Sequence, residues 1–156
     1  MITNYQNLSE ETKVFLYPSS RKFYPNELEE IEIKIKKFIS EWTNFSTTYK
    51  IEYKRFLLIF IENEIEVTIK MHDDLAQFII QLEKDYEVTL LDKVNVCFKQ
   101  GEYVQYKEMK DFRKLVKNKS ISKKNIIFNN FIQTKYEFEN SWETPLSDSW
   151  LSHLIK

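Results

Sequence analysis

The sequence predicts an α+β domain with the ferredoxin-like order β-α-β-β-α-β, an antiparallel sheet with helices on one face, followed by a C-terminal extension. In two stretches, apolar residues recur at spacings of three and four, as in amphipathic helices. Around them, apolar and polar residues alternate, or apolar residues run together, as in β-strands. No repeat or Pro/Gly/Ser-rich linker divides the 156 residues. We therefore expect one domain over 1–156, with a ferredoxin-like half at about 10–92 and an extension at about 93–156.

The first two elements are a strand and a helix. Residues 14–17 (Val-Phe-Leu-Tyr) predict a short strand, which Pro18 ends. A helix is expected over 25–43, since proline is tolerated in a first turn and a stripe of apolar residues follows. The stripe consists of Leu28, Ile31, Ile35, Phe38, Ile39 and Trp42.

Strand-like patterns occupy the middle of the chain. Residues 50–54 alternate between apolar and charged, and 56–61 are wholly apolar, as in a strand covered on both faces. After a turn at 62–64, alternation over 65–71 predicts an antiparallel return strand. Asp73 is the expected cap of a second helix with the stripe Leu75, Phe78, Ile79, Leu82 and Tyr86. Residues 88–91 then form a short strand or a connector.

The extension has its own sequence signals. Gly101 lies where a hairpin turn needs a positive φ angle. We expect, in order, hairpin strands at 94–98 and 103–106, a helix at 109–118, strands at 126–128 and about 135–139, and a short helix after Ser147.

The composition indicates a globular chain in a reducing compartment. Apolar residues make up 42% and the formal net charge is −1, so no overall field steers the chain to nucleic acid or membrane. A lone cysteine cannot form an internal disulfide. No signal-peptide pattern is seen, and the longest apolar run is far shorter than the roughly 20 residues that span a bilayer. We therefore expect a cytoplasmic protein that does not enter membranes. The excess of Lys, Ile and Asn indicates an AT-rich genome.

Several segments share a pattern with a known family. They are Val14-Phe15-Leu16-Tyr17 and residues 20–23, 38–43, 53–56, 91–92, 128–130, 139–145 and 149–150. Spread over nearly the whole chain, they resemble a small bacterial family of the Bacteroidetes group that often carries the label "ABC transporter ATPase". The resemblance implies no established function.

The residues contradict that label. A P-loop needs Gly-x-x-x-x-Gly-Lys-Ser/Thr, because bare backbone amides must approach the phosphates. This chain has one glycine, Gly101, at a predicted hairpin. Relatives carry Gly-Cys-Ser before the second helix and a histidine within it, where this chain has Ile69-Lys70-Met71 and Gln77. The interpretation therefore leans away from catalysis.

Few residues suggest catalytic or metal chemistry. Cys97 lies within a predicted strand with no basic neighbour to activate it, which favours an inert buried thiol over a reactive one. His72, beside two aspartates at a predicted helix start, suggests a base or ligand, but a polar helix-terminus residue is the simpler interpretation. His153 is expected at the surface. We predict no catalytic, cofactor-binding or metal-binding residue and no cofactor.

The strongest local charge signal spans 107–124. This segment carries eight basic and two acidic residues, a formal charge of +6 against −7 for the rest of the chain. It could contact RNA phosphates or an acidic protein, or be a solvated helix in a lysine-rich chain. Tyr53, Tyr103 and Tyr106 could stack bases or be half-buried sheet residues. The candidate nucleic-acid-binding residues are Lys107, Lys110, Arg113, Lys114, Lys117, Lys119, Lys123 and Lys124.

The tail from 141 to 150 is the second candidate surface. Trp142, Pro145 and Trp150 could form a partner-binding groove, or the tryptophans could pack the tail onto the core.

The leading hypothesis is a non-catalytic cytoplasmic protein-interaction module with an unidentified protein partner. The alternative is an RNA- or ribosome-associated protein that uses the basic segment, and the third is a small-molecule enzyme with a pocket between sheet and helices. The oligomeric state stays open.

Overall fold

The structure is a computed structural model that describes residues 2–62, 64 and 66–155. It confirms the α+β class: these residues form four α-helices and two antiparallel sheets. The elements are β1 (Lys13–Pro18), α1 (Pro25–Trp42), β2 (Thr47–Glu52), β3 (Phe56–Ile61), α2 (Ile69–Tyr86), β4 (Val96–Gln100), β5 (Tyr103–Lys107), α3 (Met109–Lys117), β6 (Ile126–Phe128), α4 (Lys135–Ser141) and β7 (Glu143–Pro145). None of the helices in this part of the chain is both long enough and apolar enough to cross a bilayer.

The elements stack in four layers. The first sheet has the strand order β1-β3-β2 and the second β5-β4-β6-β7. Successive side chains of β3 point to opposite faces of the first sheet. Leu57 and Ile59 pack with α1 and α2 on one face, and Phe56, Leu58 and Phe60 lie in a second core between the two sheets. On its outer face, the second sheet is covered by α3 and the C-terminal residues. This arrangement explains why every residue of β3 is buried.

From β1 to α2 the element order is β-α-β-β-α. Residues 88–91, predicted as a strand or a connector, form a connector, and the next strand, β4, belongs to the second sheet. The Glu83 carboxylate accepts hydrogen bonds from the backbone N–H groups of Leu90 and Leu91 at 2.7 and 3.1 Å. The carboxylate thus accepts the backbone hydrogen bonds that a neighbouring strand would otherwise accept.

The predicted return strand at 65–71 is wrong. Strand β3 pairs instead with β2, through the turn at 53–55, and α2 already begins at Ile69. Thr68, not Asp73, caps α2, since its hydroxyl accepts from the N–H of Met71 at 3.1 Å. Ile69 is 81% exposed, so the alternating pattern did not mark a buried face. Residues 63 and 65 of this prediction lie outside the described residues.

The C-terminal half contains two further corrections. The predicted strand at 135–139 is the helix α4, because Thr134 caps its N-terminus: the Thr134 hydroxyl accepts from the Glu137 N–H at 3.1 Å. The short helix expected after Ser147 is instead a pair of 3₁₀ turns, Leu146–Asp148 and Ser152–Ile155. The third predicted helix is confirmed as α3, and the hairpin as β4–β5 with Gly101 at φ +61°.

Candidate functional site

Helix α3 presents four of the eight predicted basic residues to solvent. It has a sharply divided surface: Phe112 is fully buried against the second sheet, and Met109, Leu115 and Val116 pack beside it. The cations lie on the remaining faces of the helix. All eight predicted nucleic-acid-binding residues are exposed, namely Lys107, Lys110, Arg113, Lys114, Lys117, Lys119, Lys123 and Lys124.

The loop after α3 folds back against the helix. Lys119 adopts a left-handed conformation (φ +65°), and the N–H groups of Ser120 and Ile121 donate to the Leu115 carbonyl at 2.9 and 3.2 Å. These bonds give the Leu115 carbonyl, near the C-terminal end of the helix, its hydrogen-bond donors, and they place Ile121 in a buried position beneath the helix. Asn125 holds the far end of the loop, because its side-chain oxygen accepts from the Ser122 N–H at 2.8 Å.

This turn brings four of the eight cations together around an open cavity of about 730 Å³. We call it the basic groove: Arg113, Lys117, Lys119 and Lys123 at the rim, and Val116, Ile121, Leu154 and Ile155 as an aliphatic floor. The residues of the floor come from α3, from its loop and from the C-terminal 3₁₀ turn. Among the residues that the structure describes, no carboxylate side chain lines the groove. The site therefore combines positive charge with apolar surface.

The other candidates for nucleic-acid contact lie outside this groove. Lys107, Lys110, Lys114 and Lys124 are exposed but do not line it. Of the proposed stacking tyrosines, Tyr53 donates its hydroxyl to Glu143 at 2.7 Å, and the Tyr106 hydroxyl accepts from the Asn95 amide at 2.8 Å. Tyr103 is 71% exposed. None of the three tyrosines lines the groove, so aromatic stacking is not combined with the clustered cations there.

The tail tryptophans have separate environments. Trp142 is only 4% exposed and lies between the two sheets, so its ring belongs to the core and not to a partner-binding surface. Pro145 lies in β7, opposite Ile126. Trp150 is half-buried: its indole N–H donates to the Phe128 carbonyl at 3.3 Å and its ring packs edge-on against Phe131. A groove formed jointly by these three residues is therefore not present.

A second cavity, of about 660 Å³, lies beside the edge strand β1. It is lined by both polar and apolar side chains, including Phe15, His72 and Lys93. The imidazole of His72 is exposed and packs edge-on against Phe15 at 5.8 Å between ring centroids. Burial lowers the pKa of Lys93, a residue that the sequence did not single out. Polar groups therefore meet in this cavity, but no side chain of the described residues hydrogen-bonds to the imidazole as an orienting partner.

The remaining reactive side chains are isolated. Burial raises the pKa of the Cys97 thiol to about 12, which agrees with an inert thiol in the core. His153 is exposed on the last 3₁₀ turn. Within residues 2–62, 64 and 66–155, no group of three or more His, Cys, Asp or Glu side chains is placed to hold a metal ion.

Comparison of the chain with protein-family models, with curated proteins and with solved structures finds no match in any of the three. The site must therefore be interpreted from its own chemistry.

Proposed function

We propose that this protein is a non-catalytic protein-interaction module of the cytoplasm that binds an acidic, partly aliphatic segment of a partner protein in the basic groove. The observation that carries the proposal is the combination of four rim cations with an aliphatic floor. Glu or Asp side chains of the partner would pair with the rim, and Leu, Ile or Val would cover the floor. In this proposal, the unit from β1 to α2 is a ferredoxin-like arrangement that lacks the sixth element.

The chemistry of the floor favours a peptide over RNA. Single-stranded RNA is generally held by cations together with aromatic rings on which the bases stack. The groove offers Val116, Ile121 and Leu154, which provide no such platform. Aliphatic side chains of a peptide, in contrast, gain free energy by covering an aliphatic floor, at about 25 cal/mol per Å² of apolar surface removed from water. Arg113 adds a planar guanidinium that can bind a carboxylate through two parallel hydrogen bonds.

A second candidate function is association with RNA or the ribosome. One observation favours it: four more cations of the same segment are exposed outside the groove, so positive charge continues beyond the apolar floor. Such a surface would bind a polyanion through many weak phosphate contacts. Each contact releases counterions, so affinity for single-stranded RNA would fall steeply with salt, with a log–log slope of about −0.7 per phosphate.

The small-molecule enzyme is the third hypothesis. The cavity with His72 and Lys93 supplies the polar lining that such an enzyme needs. A general base is normally oriented by a second group, and the described residues around His72 supply no hydrogen-bonding partner for its ring. We therefore place this hypothesis behind the two binding functions.

Two triple variants separate the peptide from RNA. The groove variant carries Arg113→Glu, Lys117→Glu and Lys123→Glu, and the matched control carries Lys110→Glu, Lys114→Glu and Lys124→Glu. Both make the same change in formal charge, and each places one glutamate in the last turn of α3, where a negative charge is unfavourable to the helix dipole. The probes are a fluorescent peptide of alternating Glu and Leu, the same peptide with Gln for Glu, and a labelled oligo(U) RNA, all measured by fluorescence anisotropy.

The proposal predicts that the acidic peptide binds the natural sequence and the control variant alike, and that the groove variant binds it about tenfold to a hundredfold more weakly. The Gln peptide should bind weakly to all three proteins. If oligo(U) binds more tightly than the acidic peptide, and both variants lose it equally, the RNA function replaces the proposed one. Failure of the acidic peptide to bind the natural sequence would refute the peptide groove.

A further inference from the structure

The turn between β2 and β3 has an unusual backbone. The Arg55 N–H donates to the Glu52 carbonyl at 3.0 Å, and both central residues, Tyr53 and Lys54, have positive φ angles of 53° and 57°. This is a type I′ turn, which normally carries Asn-Gly, because side chains with a Cβ are disfavoured in the left-handed region. Two bulky residues at such positions are a source of strain, and strain of this kind often accompanies binding sites.

Several contacts hold the turn in place. The N–H of Phe23 donates to the Lys54 carbonyl at 2.8 Å, and the N–H of Ser19 donates to the Arg55 carbonyl at 3.0 Å. The Tyr53 ring packs edge-on against Phe128 at 5.3 Å, and the Tyr53 hydroxyl bonds to Glu143. The surrounding structure therefore overcomes the backbone preference of these residues and fixes where Lys54 and Arg55 lie.

Arg55 is nine-tenths buried at this turn, with 8% of its surface exposed. Its Nη1 donates to the Val104 carbonyl of the edge strand β5 at 3.3 Å. In the described structure this is the only acceptor for a guanidinium that has five N–H donors, and no carboxylate pairs with its charge. A buried cation without a counterion is costly, which makes an external anion a favourable partner.

Arg55 lies at a cavity of about 320 Å³ whose walls carry more positive than negative charge. The exposed side chains of Lys22 and Lys54 line it, with Tyr53 and Tyr103 as aromatic walls, and Glu102 is the only acidic residue among the described lining residues. The volume suits a small molecule. We propose that this cavity binds the oxyanion group of a small molecule, a phosphate monoester or a carboxylate, with Arg55 as the central donor and Lys22 and Lys54 at its sides.

A purely structural role for Arg55 is the competing explanation. Capping one carbonyl of an edge strand needs a single N–H donor and no charge, so it accounts for neither the unpaired charge nor the two neighbouring lysines. The oxyanion site accounts for both. It lies on different residues from the basic groove, so the two proposals can fail independently.

Titration followed by NMR tests the site directly. The chain has three arginines, Arg21, Arg55 and Arg113, so their side-chain Nε–Hε signals can be told apart. The probes are inorganic phosphate, phenyl phosphate and benzoate, added to the whole chain. The variants are Arg55→Lys, which keeps the charge but loses the planar fork, and the surface pair Lys22→Gln with Lys54→Gln. Lys117→Gln, in the basic groove, is the control.

We expect phenyl phosphate to shift the Arg55 signal in a saturable way and to leave the Arg113 signal unchanged. Affinity should fall about tenfold in Arg55→Lys and several-fold in the lysine pair, since charge-assisted hydrogen bonds are lost, and should be unchanged in Lys117→Gln. If Arg55→Lys does not fold, the lysine pair decides. An Arg55 signal that does not move with any probe, or equal affinity in the lysine pair and the control, overturns the site. The relative affinities of benzoate and phenyl phosphate identify which oxyanion it prefers.

Discussion

Replacing Trp142 by alanine removes the side chain at the centre of the core between the two sheets. Its ring lies 4.9 Å from the ring centroids of both Phe56 and Phe128, and 5.0 Å from that of Phe138. Truncation of such a ring typically costs about 3–5 kcal/mol of unfolding free energy. The buried indole N–H has no acceptor in the described structure, so its removal should recover about 1 kcal/mol of that cost.

We therefore expect Trp142→Ala to lower the free energy of unfolding by about 2–4 kcal/mol, which for a chain of this size is roughly 4–16 °C in Tm. Trp142→Phe should cost about 1 kcal/mol or less, since it keeps a ring and leaves no unpaired donor. Trp150→Ala is the matched control: its half-buried ring should cost about 1–2 kcal/mol.

Urea unfolding followed by far-UV circular dichroism measures all three variants without relying on tryptophan fluorescence. The reasoning is refuted if Trp142→Ala is as stable as the natural sequence, or if Trp142→Phe costs as much as Trp142→Ala. The first result would mean that the ring is not in the core, and would return Trp142 to the set of candidate partner-binding residues. The second would mean that the indole N–H has an acceptor in solution that stabilises the fold.

Three further predictions concern single positions. Because burial raises the pKa of the Cys97 thiol from 9.0 to about 12, the unfolded chain loses this proton at lower pH than the folded chain, and the free energy of unfolding should fall between about pH 9 and 12. A thiol reagent at pH 8 should label Cys97 only in urea, and rapid labelling without urea would contradict its burial. Lys54→Gly should raise the free energy of unfolding by about 1 kcal/mol, because glycine adopts the positive φ angle without strain, and should weaken phenyl phosphate binding. The control Lys50→Gly, in β2, should lower the free energy of unfolding by a similar amount, and urea melts that show the same change for both variants would argue against strain at the turn. Thr134→Ala should lower the unfolding free energy by about 1 kcal/mol and Thr134→Ser by less, since only the hydroxyl caps α4; a urea melt of Thr134→Ala that matches the natural sequence would show that the cap contributes nothing.

The residue pattern of the sequence predicted part of the basic groove but did not predict the Arg55 cavity. The charge count over 107–124 identified all four rim cations of the basic groove from residue types alone. It did not identify the floor, because Leu154 and Ile155 are more than thirty residues away along the chain and meet α3 only after folding. Arg55 lay in one of the segments that resemble a known family, but nothing in the sequence marked it as a binding residue. A single arginine after an alternating segment is ordinary in sequence, and only its burial and its missing counterion make it notable.

For the fold, the sequence alone determined the elements whose hydrogen bonds are local. The apolar stripe of α1 and the divided surface of α3 predicted both helices nearly to the residue, and the turn at Gly101 predicted the hairpin, because neighbours along the chain satisfy these backbones. Alternation over 65–71 and 135–139 hid two further local signals, the hydroxyls of Thr68 and Thr134, each of which caps the start of a helix. Tertiary structure decided what depends on distant partners. The stacking of two sheets, with Trp142 between them, rests on contacts between residues far apart along the chain, such as Phe56 and Trp142, which no local pattern encodes.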